Sequence, residues 1–153
     1  MPQPRYNPTT NQMVRVDTDN PAVQHSRQRV TLAQLNAGFT LLAAVPGFAY
    51  RLVDITLIAI GGAVAGATDV RILGTRAAGS VALGIAAVAG LTQSTLLRLG
   101  SPFATAGTAS IVALADGASL TPLDANTAVT IGKTGGTATT ATAVDVILTY
   151  ALE

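Results

Sequence analysis

Few residues in this sequence could do chemistry, and each stands in a pattern that falls short of it. The only histidine, His25, sits beside Ser26, and a neutral imidazole near neutral pH can take a hydroxyl proton. Neighbouring residues of a strand point to opposite faces, so His25 and Ser26 do not converge if this segment is extended, and no nucleophile-elbow sequence occurs. Gly132-Lys133-Thr134 looks like the end of a phosphate-binding loop. Thr127 stands where that motif needs its first glycine, and Gly135-Gly136 follows where a helix must start, so the segment reads as a hairpin turn. Asp17-Thr18-Asp19-Asn20 opens like a calcium loop, but Ala22 occupies the glycine position and Gln28 the place of the bidentate glutamate. Asp116-Gly117 and Asp124-Ala125-Asn126 read as turns whose side chains bond backbone amides. Glu153 is the only glutamate, which leaves aspartates on different strands as the sole source of an acid/base pair. With no cysteine and a single histidine, thiol catalysis, disulfide staples and multi-histidine metal sites are excluded. We expect neither a catalytic centre nor a bound cofactor or metal. One polar run remains, Gln24-His25-Ser26-Arg27-Gln28-Arg29. It is either a solvated edge strand or a docking strip for an acidic surface.

The elements that must carry these residues are strands. Residues 1–22 hold four of the seven prolines among Asn, Gln and Thr, which predicts an extended N-terminal arm ahead of a body over 23–153. From Val23 onward, short runs of Val, Ile, Leu and Thr are punctuated by Gly, Pro and Asp about every ten residues, the pattern of an all-β sandwich or barrel. The last segment is the clearest: Val144, Val146, Leu148, Tyr150 and Leu152 fall on one face, Asp145 and Thr149 on the other. Further strands are expected at 24–30, 39–45, 50–60, 70–73, 81–88, 95–99, 110–114 and 128–131. In the 50–60 segment Leu52, Ile58 and Ile60 alternate with Val53, Ile55 and Leu57, so both faces are apolar and one is expected to meet a neighbouring chain or sheet. One short helix is predicted at Leu32 to Ala37, where Thr31 caps, Gln34 completes the capping box and Gly38 stops it.

The chain has 153 residues, enough for one core, and only 11% are charged, well under the usual quarter. Much of its folded surface must therefore lack charge, as interface cores do. A net charge of +1 argues against a dedicated nucleic-acid binder. The modest basic excess is N-terminal, with Arg5, Arg15, Arg27, Arg29 and Arg51 against Asp17 and Asp19. Between Arg76 and Arg98 lies an uncharged stretch, but it is built of Ala with Gly79, Gly84 and Gly90, ends in Thr92-Gln93-Ser94-Thr95 and has no aromatic belt, so no membrane span is expected. Instead we read it as two buried strands joined by a small-residue turn. The opening residues have no apolar signal segment, which points to synthesis in the cytosol.

Taken with the polar arm and the charge-poor β body, the closing stretch Leu120-Thr121-Pro122-Leu123-Asp124-Ala125-Asn126-Thr127-Ala128-Val129-Thr130-Ile131-Gly132-Lys133, followed by Ala143-Val144-Asp145-Val146-Ile147-Leu148-Thr149-Tyr150, resembles the small capsid cement, or decoration, proteins of tailed bacteriophages. That resemblance implies a jelly-roll-like antiparallel β-sandwich with one short helix. It also implies a structural virion protein on the outer capsid surface, made in the host cytoplasm, that binds the major capsid protein and ties capsomers together as a homo-oligomer. A trimer is slightly favoured over a dimer. On that reading Arg5, Arg15, Arg27 and Arg29 dock on the shell, and Leu52, Ile58, Ile60 and Tyr150 lie at the oligomer interface. The alternative is a carbohydrate- or receptor-binding head or tail appendage, against which the absence of tryptophan argues.

Overall fold

A computed structural model of the chain describes residues 5–7, 12–14, 23–99, 111–112 and 121–153, with backbone only for 5–7, 12–14 and 111–112. Arg15 and Asp116-Gly117 lie outside the described residues, as does the supposed calcium loop at 17–20. Within the N-terminal segment, β1 (Arg5–Asn7) and β2 (Gln12–Val14) pair as an antiparallel hairpin, with Tyr6 opposite Met13. Where the proline spacing predicts only extended chain, these short runs between prolines find each other.

The body is an all-β sandwich. Its strands are β3 (Gln24–Thr31), β4 (Phe39–Leu42), β5 (Tyr50–Ile60), β6 (Val64–Arg76), β7 (Gly79–Ala87), β8 (Leu96–Arg98), β9 (Ile111–Val112), β10 (Val129–Thr140) and β11 (Ala143–Leu152). One sheet runs β3-β11-β5-β8 and the other β4-β10-β6-β7-β9, with every pairing antiparallel. Setting β9 aside, the pairs are nested: β6 with β7, β5 with β8, β4 with β10, β3 with β11. A single ribbon of strand pairs wrapped over two layers gives this order, which is that of a jelly roll.

Between β3 and β4 sits α1 (Leu32–Ala37), closed as its sequence dictates. Thr31 Oγ1 accepts from the Gln34 amide at 3.3 Å while Gln34 Oε1 accepts from the Thr31 amide at 2.9 Å. The Gly38 amide then donates to the Leu35 carbonyl. Leu35 is fully buried, and Asn36 reaches across to β10, donating to the Ala138 carbonyl and accepting from the Ala138 amide. Thus Asn36 supplies the strand partner that β10 lacks at that point.

Bulges decide which residues reach the core. Along β5 the register against β11 skips a residue between Asp54 and Leu52, so Val53 is extra and the inward parity changes. Leu52 points inward on one side of the bulge, and Ile55, Leu57 and Ala59 point inward on the other; all four are buried. The apolar residues at both parities of 50–60 therefore do not show two buried faces. Similar shifts put Leu41 and Leu42 of β4 side by side in the core and carry β7 past Leu83.

Gly132-Lys133-Thr134-Gly135-Gly136 is not a hairpin turn. It lies inside β10, where the register against β6 shifts at Thr134/Gly135 and again before Thr139. The reversal into β11 comes later, at Ala141-Thr142. Glycines here serve a bulge, not a turn: Gly135 has φ +76°, and a side chain on it would meet Thr68. The stretch between Arg76 and Arg98 also differs from two strands joined by a turn. β7 belongs to one sheet, a short 3-10 helix (Val88–Gly90) follows, and β8 belongs to the other sheet. Among the described residues no helix is long and apolar enough to cross a membrane.

At one end, residues 121–127 tie the two sheets together. The Leu123 amide donates to the Tyr50 carbonyl of one sheet, and the Asp124 amide donates to the Thr75 carbonyl of the other. Asp124 also caps the β6–β7 turn, its carboxylate accepting from the Ala77 and Ala78 amides. Both alanines hold positive φ there, a conformation this pair of hydrogen bonds helps to fix.

Candidate functional site: the outer face of the four-stranded sheet

The alternation of β3, β11, β5 and β8 sends one set of side chains to the core and the other to a common outer face. Along β11 the outer residues are Asp145, Ile147 and Thr149, opposite Ile58, Thr56 and Asp54 of β5 on one side and Arg29, Arg27 and His25 of β3 on the other. Beyond β5, Leu96 and Arg98 of β8 continue the rows next to Ile58 and Thr56. The face thus carries a central apolar band flanked by charged residues.

Asp145 is the most constrained of these groups. Although it faces outward, only 1% of it is exposed, because two arginine side chains fold over it. Arg29 binds it through two nitrogens, Nε to Oδ1 at 2.7 Å and Nη2 to Oδ2 at 3.0 Å, and Arg27 Nη2 adds a third bond to Oδ2 at 2.8 Å. Charge-assisted bonds from two cations satisfy a carboxylate that burial would otherwise penalise. The hydrogen bonds from Arg29, with Arg27 adding to them, outweigh that penalty and hold Asp145 down at a pKa of about 2.

A carboxyl depressed in the folded state stabilises it once ionised. The benefit is complete above the unfolded value near 3.8 and disappears as pH falls through about 2. With both arginines open to solvent the contribution is screened to about 1–2 kcal/mol. We expect Asp145 to contribute a loss of that size to the unfolding free energy between pH 4 and pH 2, and Asp145→Asn to remove this share while leaving that of Asp69, whose carboxyl the hydrogen-bonded Arg71 guanidinium also holds below its ordinary value; urea titrations at stepped pH would measure both.

His25 and Arg98 of this face are partnered as well. His25 Nδ1 lies 3.0 Å from Thr149 Oγ1, while Ser26, on the opposite parity, pairs with buried Leu148. Arg98 Nε donates to Asp54 Oδ2 at 2.6 Å. Elsewhere, Arg71 grips Asp69 through two nitrogens on the other sheet, and Arg51 pairs with Glu153. Among the described residues no three of His, Asp and Glu come together in a group that could hold a metal ion.

The apolar band is Ile58, Ile60 and Ile147, each half-buried, with Leu96 55% exposed at its margin, while Val53, 40% exposed, lies apart at the β5 bulge beyond the Asp54–Thr149 row. Two of the residues expected at an oligomer interface, Ile58 and Ile60, are here. The other two are not. Leu52 is fully buried between the sheets because the β5 bulge turns it inward, and Tyr150 stands on the core side of β11. The Tyr150 ring meets Tyr50 edge to face at 5.4 Å, with its hydroxyl donating to Gln24 Oε1 at 3.3 Å. Burial raises the pKa of both tyrosines.

Of the expected docking arginines, Arg27 and Arg29 sit together on β3, Arg5 opens β1, where only backbone is described, and Arg15 is outside the described residues. Sequence reasoning missed Asp145 as their partner, and it missed Leu96 and Ile147 as members of the band. A lone acid inside the apolar run 143–152 was the available signal, since such a charge is retained only with partners. Comparison of the chain with protein-family models, with curated proteins and with solved structures found no match.

Proposed function

We propose that this chain is a structural protein of a virion, a cement protein that binds the outside of a tailed-phage head and stabilises contacts between capsomers. The observation that carries the reading is the outer face of the four-stranded sheet, an apolar band of Ile58, Ile60 and Ile147 with Leu96 exposed at its margin, beside the Arg27–Asp145–Arg29 cluster. Apolar area of this kind stabilises when covered, at roughly 25 cal/mol per Å² removed from water. A charge-poor jelly-roll body suits a protein whose product is buried area shared among several subunits. Repetition of a modest contact over a symmetric shell then makes attachment effectively permanent. Arg5 and Arg15 of the N-terminal segment add basic contacts to those of Arg27 and Arg29. A homo-oligomer, with a trimer slightly favoured over a dimer, supplies the multivalency.

Co-sedimentation of the purified chain with empty shells of the phage that encodes it tests the reading. Saturable binding that raises the shell's melting temperature is the expected result, and Ile58→Asp should weaken it at least tenfold while leaving the chain folded. Deletion of residues 1–22 should abolish binding and leave the circular dichroism of the body intact. Full-length chain that neither binds shells nor changes their melting would overturn the proposal.

A further inference from the structure

Among the described residues four strands stand at the edges of the two larger sheets, and they are not alike. β4, β8 and β9 run for four, three and two residues, whereas β3 runs for eight with no register shift against β11. Short or bulged edges resist further pairing; a long regular one is a template for another strand. Among the described residues nothing pairs with the open side of β3.

Its side chains say what such a strand would be. His25, Arg27 and Arg29 stand at every second position on the outer face. The two arginines share one carboxylate, Asp145, so the cluster keeps one net positive charge, and their side chains remain 67% and 59% exposed. On the inner parity Gln24, Ser26 and Gln28 are uncharged, and Gln28 is tied to the Leu41 carbonyl.

The same charges disfavour a second copy. Two-fold pairing of β3 with itself retains nearly full overlap in two registers, with the axis at Arg27 or at Gln28. The first sets Arg27 against Arg27 of the second copy and the second sets it against Arg29, with side chains about 5 Å apart at Cβ. Like charges at that distance repel, so the edge rejects its own kind.

We propose that β3 is a strand-addition site for an extended acidic segment of another protein, carrying Asp or Glu at alternate positions with uncharged residues between. Main-chain bonds along Gln24–Val30 hold the segment, the Thr31 amide being taken by Gln34, and its outward carboxylates meet Arg27 and Arg29, whose free guanidinium edges are not consumed by Asp145. Alternate residues of the added strand are about 6.8 Å apart, the same repeat as the arginines. The inference rests on the shell-docking reading only for the source of the strand, which would then be the capsid protein.

The test uses isotope-labelled full-length chain and a capped peptide alternating glutamate with threonine, followed by amide NMR at low salt. A peptide alternating lysine with threonine is the control. Expected are shifts contiguous over the Gln24–Val30 amides with the glutamate peptide alone. Affinity should weaken at least threefold in Arg27→Gln, which leaves the two-nitrogen grip of Arg29 on Asp145, and should change less than twofold in Arg98→Gln, which removes the same charge from the far edge. No shift on β3 at millimolar peptide, equal shifts with the lysine peptide, or shifts confined to β4 or β8 would each overturn the inference. Shell binding without peptide binding removes this inference and leaves the cement reading; peptide binding without shell binding does the reverse.

Discussion

Leu52→Ala is expected to destabilise the isolated chain by about 3–4 kcal/mol, because it removes a fully buried side chain from a core that can only partly close over the gap. For a chain of this size such a loss lowers the melting temperature by roughly 6–16 °C. The surroundings leave little slack. Tyr50 and Ile55 bury on either side along β5, Tyr150 stands opposite on β11, and the Tyr50 hydroxyl is fixed to the Ala43 carbonyl at 2.6 Å. Urea unfolding monitored by circular dichroism measures the effect, and it should not depend on protein concentration. A loss below 1 kcal/mol, or one seen only at concentrations where chains associate, would return Leu52 to an interface. Ile58, on the opposite face of the same strand, provides the contrast, since its truncation should alter association more than folding.

That contrast marks where the sequence is readable and where it is not. Strand positions follow from local composition, so all nine body strands among the described residues have a counterpart in the expected segments, and the capping box at Thr31 and Gln34 is found with its bonds made. Face assignments fail wherever a bulge resets the alternation. On β5 the sequence around Val53 carries no glycine or proline to announce the shift, so Leu52 and Ile58 look alike by parity and end on opposite sides of the sheet. The glycines of β10 err in the other direction. Gly135-Gly136 has the composition of a turn, and only the long strand β6 beside it makes the segment a bulge. Partner choice in a sheet is a property of distant segments, which explains why the nesting of pairs from β6–β7 out to β3–β11 is invisible in any window of the sequence.

The candidate site was legible to a similar depth. Arg27 and Arg29 stand out as the one basic run and Ile58 and Ile60 as apolar residues in need of cover, but nothing local says that they share a face. Register says it. β11 sits between β3 and β5, and its Asp145 meets Arg29 on one side and Ile58 on the other. Because both arginines answer to Asp145, they act as a rigid pair with reduced charge, not as two free cations. On the docking proposal, such a pair would select its partner by geometry as well as by charge, since a bidentate guanidinium holds its partner in one plane.

Gly135→Ala is the second large effect, at about 2–4 kcal/mol of lost stability. One part is conformational: φ at Gly135 is +76°, where an L side chain costs about 1–2 kcal/mol. The rest is steric. A Cβ built there would meet the Thr68 Oγ1, with the Thr68 backbone nitrogen at 2.9 Å and its Cβ at 3.1 Å. Thr68 is the extra residue on β6 at the register shift, so its backbone cannot move without disturbing Asp69 on one side and Ala67 on the other. Gly47→Ala separates the two parts, because Gly47 has a similar φ of +81° but nothing within 4 Å of the added carbon. We expect Gly47→Ala to cost only the conformational part and Gly135→Ala to exceed it by at least 1 kcal/mol in paired urea titrations. Equal costs would mean that the β6–β10 bulge yields to an added methyl group. In that case Asn36, which holds Ala138 from the helix side, would be the firmer anchor of β10.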